Sequence, residues 1–231
     1  MNSSTDREEK RMLPETRKNM KFNVVSSSLK ISDKRFNEFY SKPVSNPPFE
    51  ITVKTDILIL EYENESVYYG EVESKTMSRH GRGILIWANG SCYQGWWFND
   101  QTHGTGVLYH ADGDIYEGEW MYNKAHGRGV YQHFEGAMYN GEWADDKQHG
   151  KGKEVWNDGA VYEGDFIHGF KCGIGTFTWA DGSSYRGSFL NNIHGKGEYT
   201  WNDKRHYFGD WVNNKMNSPC PHILLFTQSP K

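Results

Sequence analysis

No glycine precedes Gly70 and none follows Gly209, although the chain of 231 residues holds 25 of them. Proline shows the opposite distribution: all seven fall outside the stretch from Phe49 to Ser218. Proline cannot donate to a β ladder and is confined to edges and bulges, so its absence from so long a stretch suits a continuous sheet. The nine tryptophans lie inside that stretch, between Trp87 and Trp211, and an aromatic content of 15% fits half-buried pleated surfaces. Cysteine is scarce. Cys92, Cys172 and Cys220 are odd in number and form no CxxC pair, which points to a reducing compartment rather than a disulfide framework. Positive charge is also short, the net charge being -4. Nucleic acid and anionic lipid are both met first through Lys and Arg, so no nucleic-acid partner is expected and direct lipid binding is disfavoured. No apolar run approaches the ~18 residues of a membrane span. The opening MNSSTDREEKR is charged where a signal peptide needs an apolar core, Asn2 stands where myristoylation needs glycine, and TQSPK is no prenylation signal.

What is present is a repeat. Tyr93, Tyr116, Tyr139, Tyr162 and Tyr185 follow one another at intervals of 23 residues, and each opens a Tyr-x-Gly-x-Trp/Phe pattern. The glycines are Gly95, Gly118, Gly141, Gly164 and Gly187, and the aromatic partners are Trp97, Trp120, Trp143, Phe166 and Phe189. A spacer follows, then His-Gly-x-Gly at His103-Gly104, His126-Gly127 and His149-Gly150, with Cys172 replacing the histidine once, then an Asp-Gly or a close relative. A divergent unit begins at Tyr68, a partial one at Tyr207, and Ile57 to Glu63 reads as a degenerate half-unit that starts the sheet. Residues at i, i+2 and i+4, such as Tyr116, Gly118 and Trp120, share one face of a strand, and Gly129, Tyr131 and His133 share one face of a second. Asn89-Gly90, Asp112-Gly113, Asp158-Gly159 and Asp181-Gly182 are dipeptides that close hairpins. A lone hairpin cannot bury its aromatic face, so copies must stack, and the glycine between Tyr and Trp is expected to leave room for a neighbouring copy's ring. About 14 strands at about 4.8 Å give a rod of roughly 60 Å.

This pattern resembles the membrane occupation and recognition nexus (MORN) repeat family over residues 57–217. The resemblance implies an antiparallel hairpin per repeat, stacked into one sheet. The fold class expected is therefore all-β, an elongated single antiparallel sheet of 23-residue hairpins with a largely irregular N-terminal arm. The divisions are an arm over 1–56, disordered or partner-bound, an array over 57–217, and a tail over 218–231. Within the array lie a half unit (57–67), units at 68–92, 93–115, 116–138, 139–161, 162–184 and 185–206, and a partial unit at 207–217.

The residue types that suggest chemistry are outweighed by the period. His80, His103, His126, His149 and His194 recur one hairpin apart, about 9 to 10 Å, whereas ligands of one zinc ion lie within about 4 Å of each other. They are read as turn histidines that fix a turn by a side-chain hydrogen bond, not as a metal site. Gly150-Lys-Gly-Lys153 is a fragment of a phosphate loop without the rest of the motif. No cysteine has a base placed beside it by a known motif, and Asp145-Asp146 is read as a solvated pair in a spacer. No enzyme activity and no cofactor are expected.

Partner contacts are sought where aromatic residues remain uncovered. Trp87, Trp156, Trp179 and Trp201 would line an aromatic groove suited to an extended peptide or a partner helix. Phe36, Phe39, Tyr40 and Phe49 are aromatic anchors in an arm that carries ten basic and six acidic residues up to Lys42. Leu224 and Phe226 belong to an apolar tail that caps the terminal edge or enters a partner, while Pro219 and Pro221 would stop a further strand from pairing. An open edge at Tyr207, or the tail, offers a route to a homodimer. The family's small members made almost wholly of repeats imply a non-enzymatic structural adaptor in the cytoplasm and cytoskeleton, set in the ciliary or flagellar axoneme as a radial-spoke-like component. The alternative implied is a membrane-associated module that binds phosphoinositide, for which Lys147, Lys151 and Lys153 form the one local patch. Specificity is expected where copies differ, as in the spacers Met121 to Ala125 and Ala144 to Gln148 and in the tails.

Overall fold

A computed structural model describes Phe49, residues 52–217 and the backbone of Ile223 and Leu224. Phe36, Phe39, Tyr40, Cys220, Phe226 and the Leu224 side chain lie outside the described residues. One antiparallel sheet contains every strand: β1 (Thr55–Glu61), β2 (Val67–Glu73), β3 (Arg79–Ile86), β4 (Cys92–Phe98), β5 (Gln101–Tyr109), β6 (Ile115–Met121), β7 (Lys124–Gln132), β8 (Met138–Ala144), β9 (Lys147–Val155), β10 (Val161–Ile167), β11 (Phe170–Thr178), β12 (Ser184–Leu190), β13 (Asn192–Thr200), β14 (His206–Val212), β15 (Lys215–Met216) and β16 (Ile223–Leu224). Spatial order follows chain order from β1 to β15, and β16 pairs with β14. The sheet is open and all-β, as stacked hairpins require.

The unit is built around facing glycines. Gly118 lies opposite Gly129 across β6 and β7, and Tyr116 folds its ring over both. A Cβ on Gly129 would stand 2.5 Å from Tyr116 Oη, and one on Gly118 would stand 2.5 Å from the Gly129 Cα. The glycine therefore makes room for the tyrosine of its own strand, not for a neighbouring copy's ring. The same slot recurs at Gly95 with Gly106 under Tyr93, Gly141 with Gly152 under Tyr139, Gly164 with Gly175 under Tyr162, and Gly187 with Gly197 under Tyr185. Beside each slot the register shifts. Gly118 faces Gly129 but Glu119 faces His126, which leaves Gly127 and Arg128 as a bulge. Tyr116 Oη donates to the Glu119 carbonyl at this interruption, 2.9 Å away, and Tyr139 does the same to Glu142 at 2.9 Å.

Neighbouring units are joined through the tryptophans. Trp120 Nε1 donates to the Gly106 carbonyl of the preceding unit (3.1 Å), as Trp143 does to Gly129 (3.1 Å) and Trp97 to Gly83 (3.2 Å). The Trp120 ring stands edge-on to Tyr116 at 5.0 Å and to Tyr93 at 5.2 Å. Phe166 and Phe189 take the same place between Tyr139 and Tyr162 and between Tyr162 and Tyr185. Edge-to-face pairs of this kind place the positive rim of one ring against the negative face of the next. They continue without a gap from Tyr68 to Tyr207.

Two kinds of turn alternate. At Asn89-Gly90 the Gly90 N–H bonds the Trp87 carbonyl, the Asn89 side chain accepts from Ser91 N (2.9 Å), and only the glycine has positive φ (89°). Asp112, Asp158 and Asp181 repeat that side-chain bond. The tight two-residue hairpins sit instead inside the spacers. Tyr122-Asn123 (φ 52° and 65°) and Asp145-Asp146 (51° and 64°) have both residues left-handed, the type I′ geometry that matches strand twist. Asp146 is not simply solvated: its Oδ1 accepts from Ala125 N at 2.7 Å, and Asn123 accepts from Thr102 N at 2.8 Å. Each such turn is thereby pinned to the one before it.

Three further expectations are corrected. His103, His126, His149 and Cys172 stand in strands beside the bulges rather than in turns. His80 makes no hydrogen bond through either nitrogen, and Nδ1 of His103 and of His149 is likewise buried without a partner, so a turn-fixing bond is not their role. The edge at Tyr207 is not open, because β15 pairs with Trp211 and Val212 while β16 pairs with His206 and Tyr207; a strand does pair beyond Pro219 and Pro221. Phe49 is folded back onto the sheet, against the face opposite the tyrosines, with its ring 5.1 Å from Phe98 and 5.6 Å from His80.

Candidate protein-binding site

The tyrosine face is not covered by other described elements, and at its middle it forms an open cleft of about 880 Å³. Its lining comes from the second strands of two units, the turns beside them and the first strand β8: Tyr131, His133, Phe134, Glu154, Trp156 and, from β8, Trp143, together with Asp112, Asp114, Glu135, Asp146 and Lys147. Tyr131 projects here because it pairs with Tyr139 across β7 and β8, which puts both on the same face. In the corresponding place the other units carry Leu108, Phe177 and Tyr199, opposite Tyr116, Tyr185 and Tyr207. On β9 that place belongs to Glu154, opposite Tyr162. One copy has replaced an apolar residue with a carboxylate.

Two polar arrangements hold the cleft. Asp114 is only 5% exposed and accepts from Tyr131 Oη at 2.7 Å and Phe134 N at 3.0 Å, with His133 Nδ1 at 3.2 Å. Glu154 is bonded by Lys171 Nζ at 2.6 Å, and that ammonium lies 4.8 Å from the Trp156 ring centre. Both members of the pair are about one-fifth exposed, at 23% and 21%. An ion pair this far out of water adds little net stability over apolar residues of similar size, so its value is in orientation and selectivity. Burial pushes the hydroxyls of Tyr116, Tyr139 and Tyr162 well above the ordinary range of tyrosine, with nearby carboxylates adding to the shift, so the floor of the sheet stays uncharged. The cleft is acidic at its rim and aromatic at its base.

The tryptophans singled out from the sequence divide between core and cleft. Trp156, Trp179 and Trp201 alternate with Phe177 and Tyr199 in one stack, with centroid distances of 4.7 to 5.3 Å, and all are half-buried. Of these, Trp156 lines the cleft, while Trp87 packs at the far end against the N-terminal part of the core. The repeat residues Tyr93, Tyr116, Tyr139, Tyr162 and Tyr185, with Trp97 and Trp120, are buried structural positions. Of the three lysines considered for lipid, Lys147 is at the cleft and Lys151 is paired with Asp165 at 2.6 Å. Among the described residues no three His, Cys, Asp or Glu side chains converge as a metal set. Asp114, Glu154 and Lys171 were not singled out from the sequence. Their signal was present as departures from the consensus of their columns, but only the register shows that these columns face the cleft.

Among solved structures, the chain resembles the TCP domain of Drosophila melanogaster SAS-4 (dCPAP) in complex with a proline-rich motif of Ana2 (dSTIL), at 10% identity and a TM-score of 0.38, covering 73% of this chain and 86% of that one. It also resembles the TCP10 domain of Danio rerio CPAP in complex with a STIL peptide, at 11% identity and a TM-score of 0.40, covering 75% and 84%. No curated protein matches the chain. The MORN repeat model matches seven segments, residues 79–92, 93–115, 116–138, 139–161, 162–184, 185–204 and 207–220. With Tyr-Gly slots, bulges and paired turns recurring through those segments, the chain belongs to the MORN repeat family.

Proposed function

We propose that this protein is a non-enzymatic structural adaptor that holds partner proteins in a cytoskeletal assembly, set in the ciliary or flagellar axoneme as a radial-spoke-like component. The observation that supports it is the cleft: a continuous ring-packed sheet presents one acidic, aromatic depression at its middle. Asp112, Glu135 and Asp146 at the rim complement a positively charged segment, and Tyr131, Trp143 and Trp156 present flat faces to its apolar side chains. The ligand class is an extended peptide or helix carrying Lys or Arg next to apolar residues. The axonemal setting rests on the resemblance to small repeat-only members of the family.

The test has two arms. A tagged chain is localised in ciliated cells and its neighbours identified by cross-linking, with Glu135→Lys and Asp112→Lys together as the cleft variant. The reading expects axonemal signal and neighbours that the cleft variant loses. Absence from cilia would refute the setting while leaving the adaptor intact. In the second arm, salt-sensitive sedimentation with phosphoinositide vesicles that disappears on replacing Lys147, Lys151 and Lys153 would support the membrane reading instead.

A further inference from the structure

The face opposite the tyrosines carries one notch per bulge, and most are closed by a carboxylate. The residue three after the unit's tyrosine stands there: Glu71, Glu119, Glu142 and Asp165, over Gly81, Gly127, Gly150 and Gly173. Glu119 Oε1 accepts from Arg128 N (3.1 Å) and Glu142 Oε1 from Lys151 N (3.2 Å), so each side chain lies over its own bulge. Two units depart from this pattern, with Trp96 and Ser188. The Trp96 notch, walled by His80, Phe98 and His103, is filled by the Phe49 ring, at centroid distances of 5.1 to 6.0 Å from the four. The Ser188 notch has Cys172, Leu190 and His194 in the corresponding places, on β11, β12 and β13. Around it Phe170 and Ile174 stand where other units have Lys124 and Lys147, or Arg128 and Lys151. Leu190 is 69% exposed and Ile174 59%, so this notch is apolar and open.

We propose that the Ser188 notch is the docking site of Phe36, carried there by the N-terminal segment that Phe49 anchors. Direction and length both favour it. Thr55 opens β1, whereas Phe49, six residues earlier, packs against Trp96 and Phe98 of β4, so the chain ahead of the sheet is displaced toward higher-numbered strands. The second notch is centred on β12, eight strands beyond β4, or about 38 Å at the usual spacing. Phe36 lies 13 residues before Phe49, and an extended chain of that length reaches at most about 43 to 47 Å. Phe39 and Tyr40, ten and nine residues away, reach at most about 36 and 32 Å by backbone and would need full extension as well as the length of their rings, whereas Phe36 spans the distance by backbone alone. The segment would thus run as a strap along the second face, pinned at two ring-sized notches. It is independent of the cleft on the tyrosine face.

Cys172 is a built-in reporter, being a free thiol in the notch wall, while Cys92 is buried. In the full chain carrying Cys220→Ser, the rate at which a maleimide modifies Cys172 is measured at mildly alkaline pH, together with chymotrypsin cleavage after Tyr40. Docking predicts slow reactions in this chain. Phe36→Ala raises the Cys172 rate about tenfold, as for a notch closed ten times more often than it is open, and hastens cleavage at Tyr40. Leu190→Asp hastens that cleavage from the other partner's side. Leu190 is exposed and Phe36 precedes the repeat array, so folding of the array is retained. Phe39→Ala and Phe22→Ala leave both rates unchanged. Equal Cys172 reactivity with and without Phe36 overturns the proposal, as does release by Phe39→Ala or Phe22→Ala in place of Phe36→Ala. Protection that grows with protein concentration also overturns it, since a second copy would then be the occupant.

Discussion

At the scale of single residues, glycines that look alike in the sequence do different work. Gly129 lies under the Tyr116 ring, and a Cβ there would meet the hydroxyl at 2.5 Å and ring carbons at 2.7 Å. Gly129→Ala must expel that ring from its slot, and destabilisation at the upper end of the overpacking range, about 3 kcal/mol, is expected in urea unfolding. A methyl group on Gly90 would meet nothing within 4 Å, but the residue holds φ at +89°. Gly90→Ala therefore loses only the backbone preference, about 1 kcal/mol, in the same measurement. The tyrosines divide likewise. Tyr116→Phe gives up the bond to the Glu119 carbonyl and should cost about 1 kcal/mol. The buried Tyr207 hydroxyl makes no hydrogen bond, because the short β15 provides no bulge opposite β14, so Tyr207→Phe should leave stability unchanged or slightly raised. A larger loss at Tyr207 than at Tyr116 would contradict this account of the hydroxyls.

At the scale of the element, the stacking of hairpins depends on turns as much as on rings. Asp146 receives the Ala125 N–H on its side chain, and its own N–H returns to the Ala125 carbonyl at 3.1 Å. Asn123 and Asn214 make the same pair of bonds to Thr102 and Ile193. At His168-Gly169 the glycine keeps only the backbone bond, to the Gln148 carbonyl at 2.9 Å, so the ladder of side-chain ties is interrupted there. Asp146→Ala is expected to cost about 1 kcal/mol through the bond lost to a half-buried N–H. Hydrogen exchange should show the loss first at the Ala125 amide and leave the Thr102 amide protected. Asp145, whose contact is an exposed ion pair with Lys124, should tolerate Ala with little change.

At the scale of the whole molecule, the run of buried tyrosines couples stability to alkaline pH. Burial holds the hydroxyls of Tyr93, Tyr116, Tyr139 and Tyr162 above the 10.0 of an exposed tyrosine. In the unfolded chain these groups release protons near 10, while the folded chain keeps them. The contribution is therefore fully present below pH ~10 and is lost as pH rises beyond it. Thermal unfolding followed by near-UV circular dichroism should show a midpoint that falls steeply above that pH. A midpoint flat into strong alkali would mean the tyrosines are hydrated. At this scale too the two faces separate: one presents the acidic cleft, and the other carries the Phe49 ring against Trp96 and Phe98.

The sequence by itself determined the repeat, its 23-residue period, the hairpin architecture and the burial of Tyr116, Trp120 and their counterparts, because alternation along a strand and spacing between copies are local properties. It did not mark the spacers as the tight turns. Tyr122-Asn123 and Asp145-Asp146 adopt left-handed backbone without glycine, and what holds them there is a bond to a residue 21 positions earlier. Nor did it separate a histidine in a turn from one beside a bulge, since that depends on where the register shifts between strands. Only the tertiary structure decided that Glu154 and Asp114 meet at one cleft with Lys171 bonded to Glu154, that the tail pairs with the last long strand, and that Phe49 lies on the second face. Each of these is a contact between chemically distinct copies or between the array and its flanks, and a periodic pattern carries no information about which of its exceptions become neighbours.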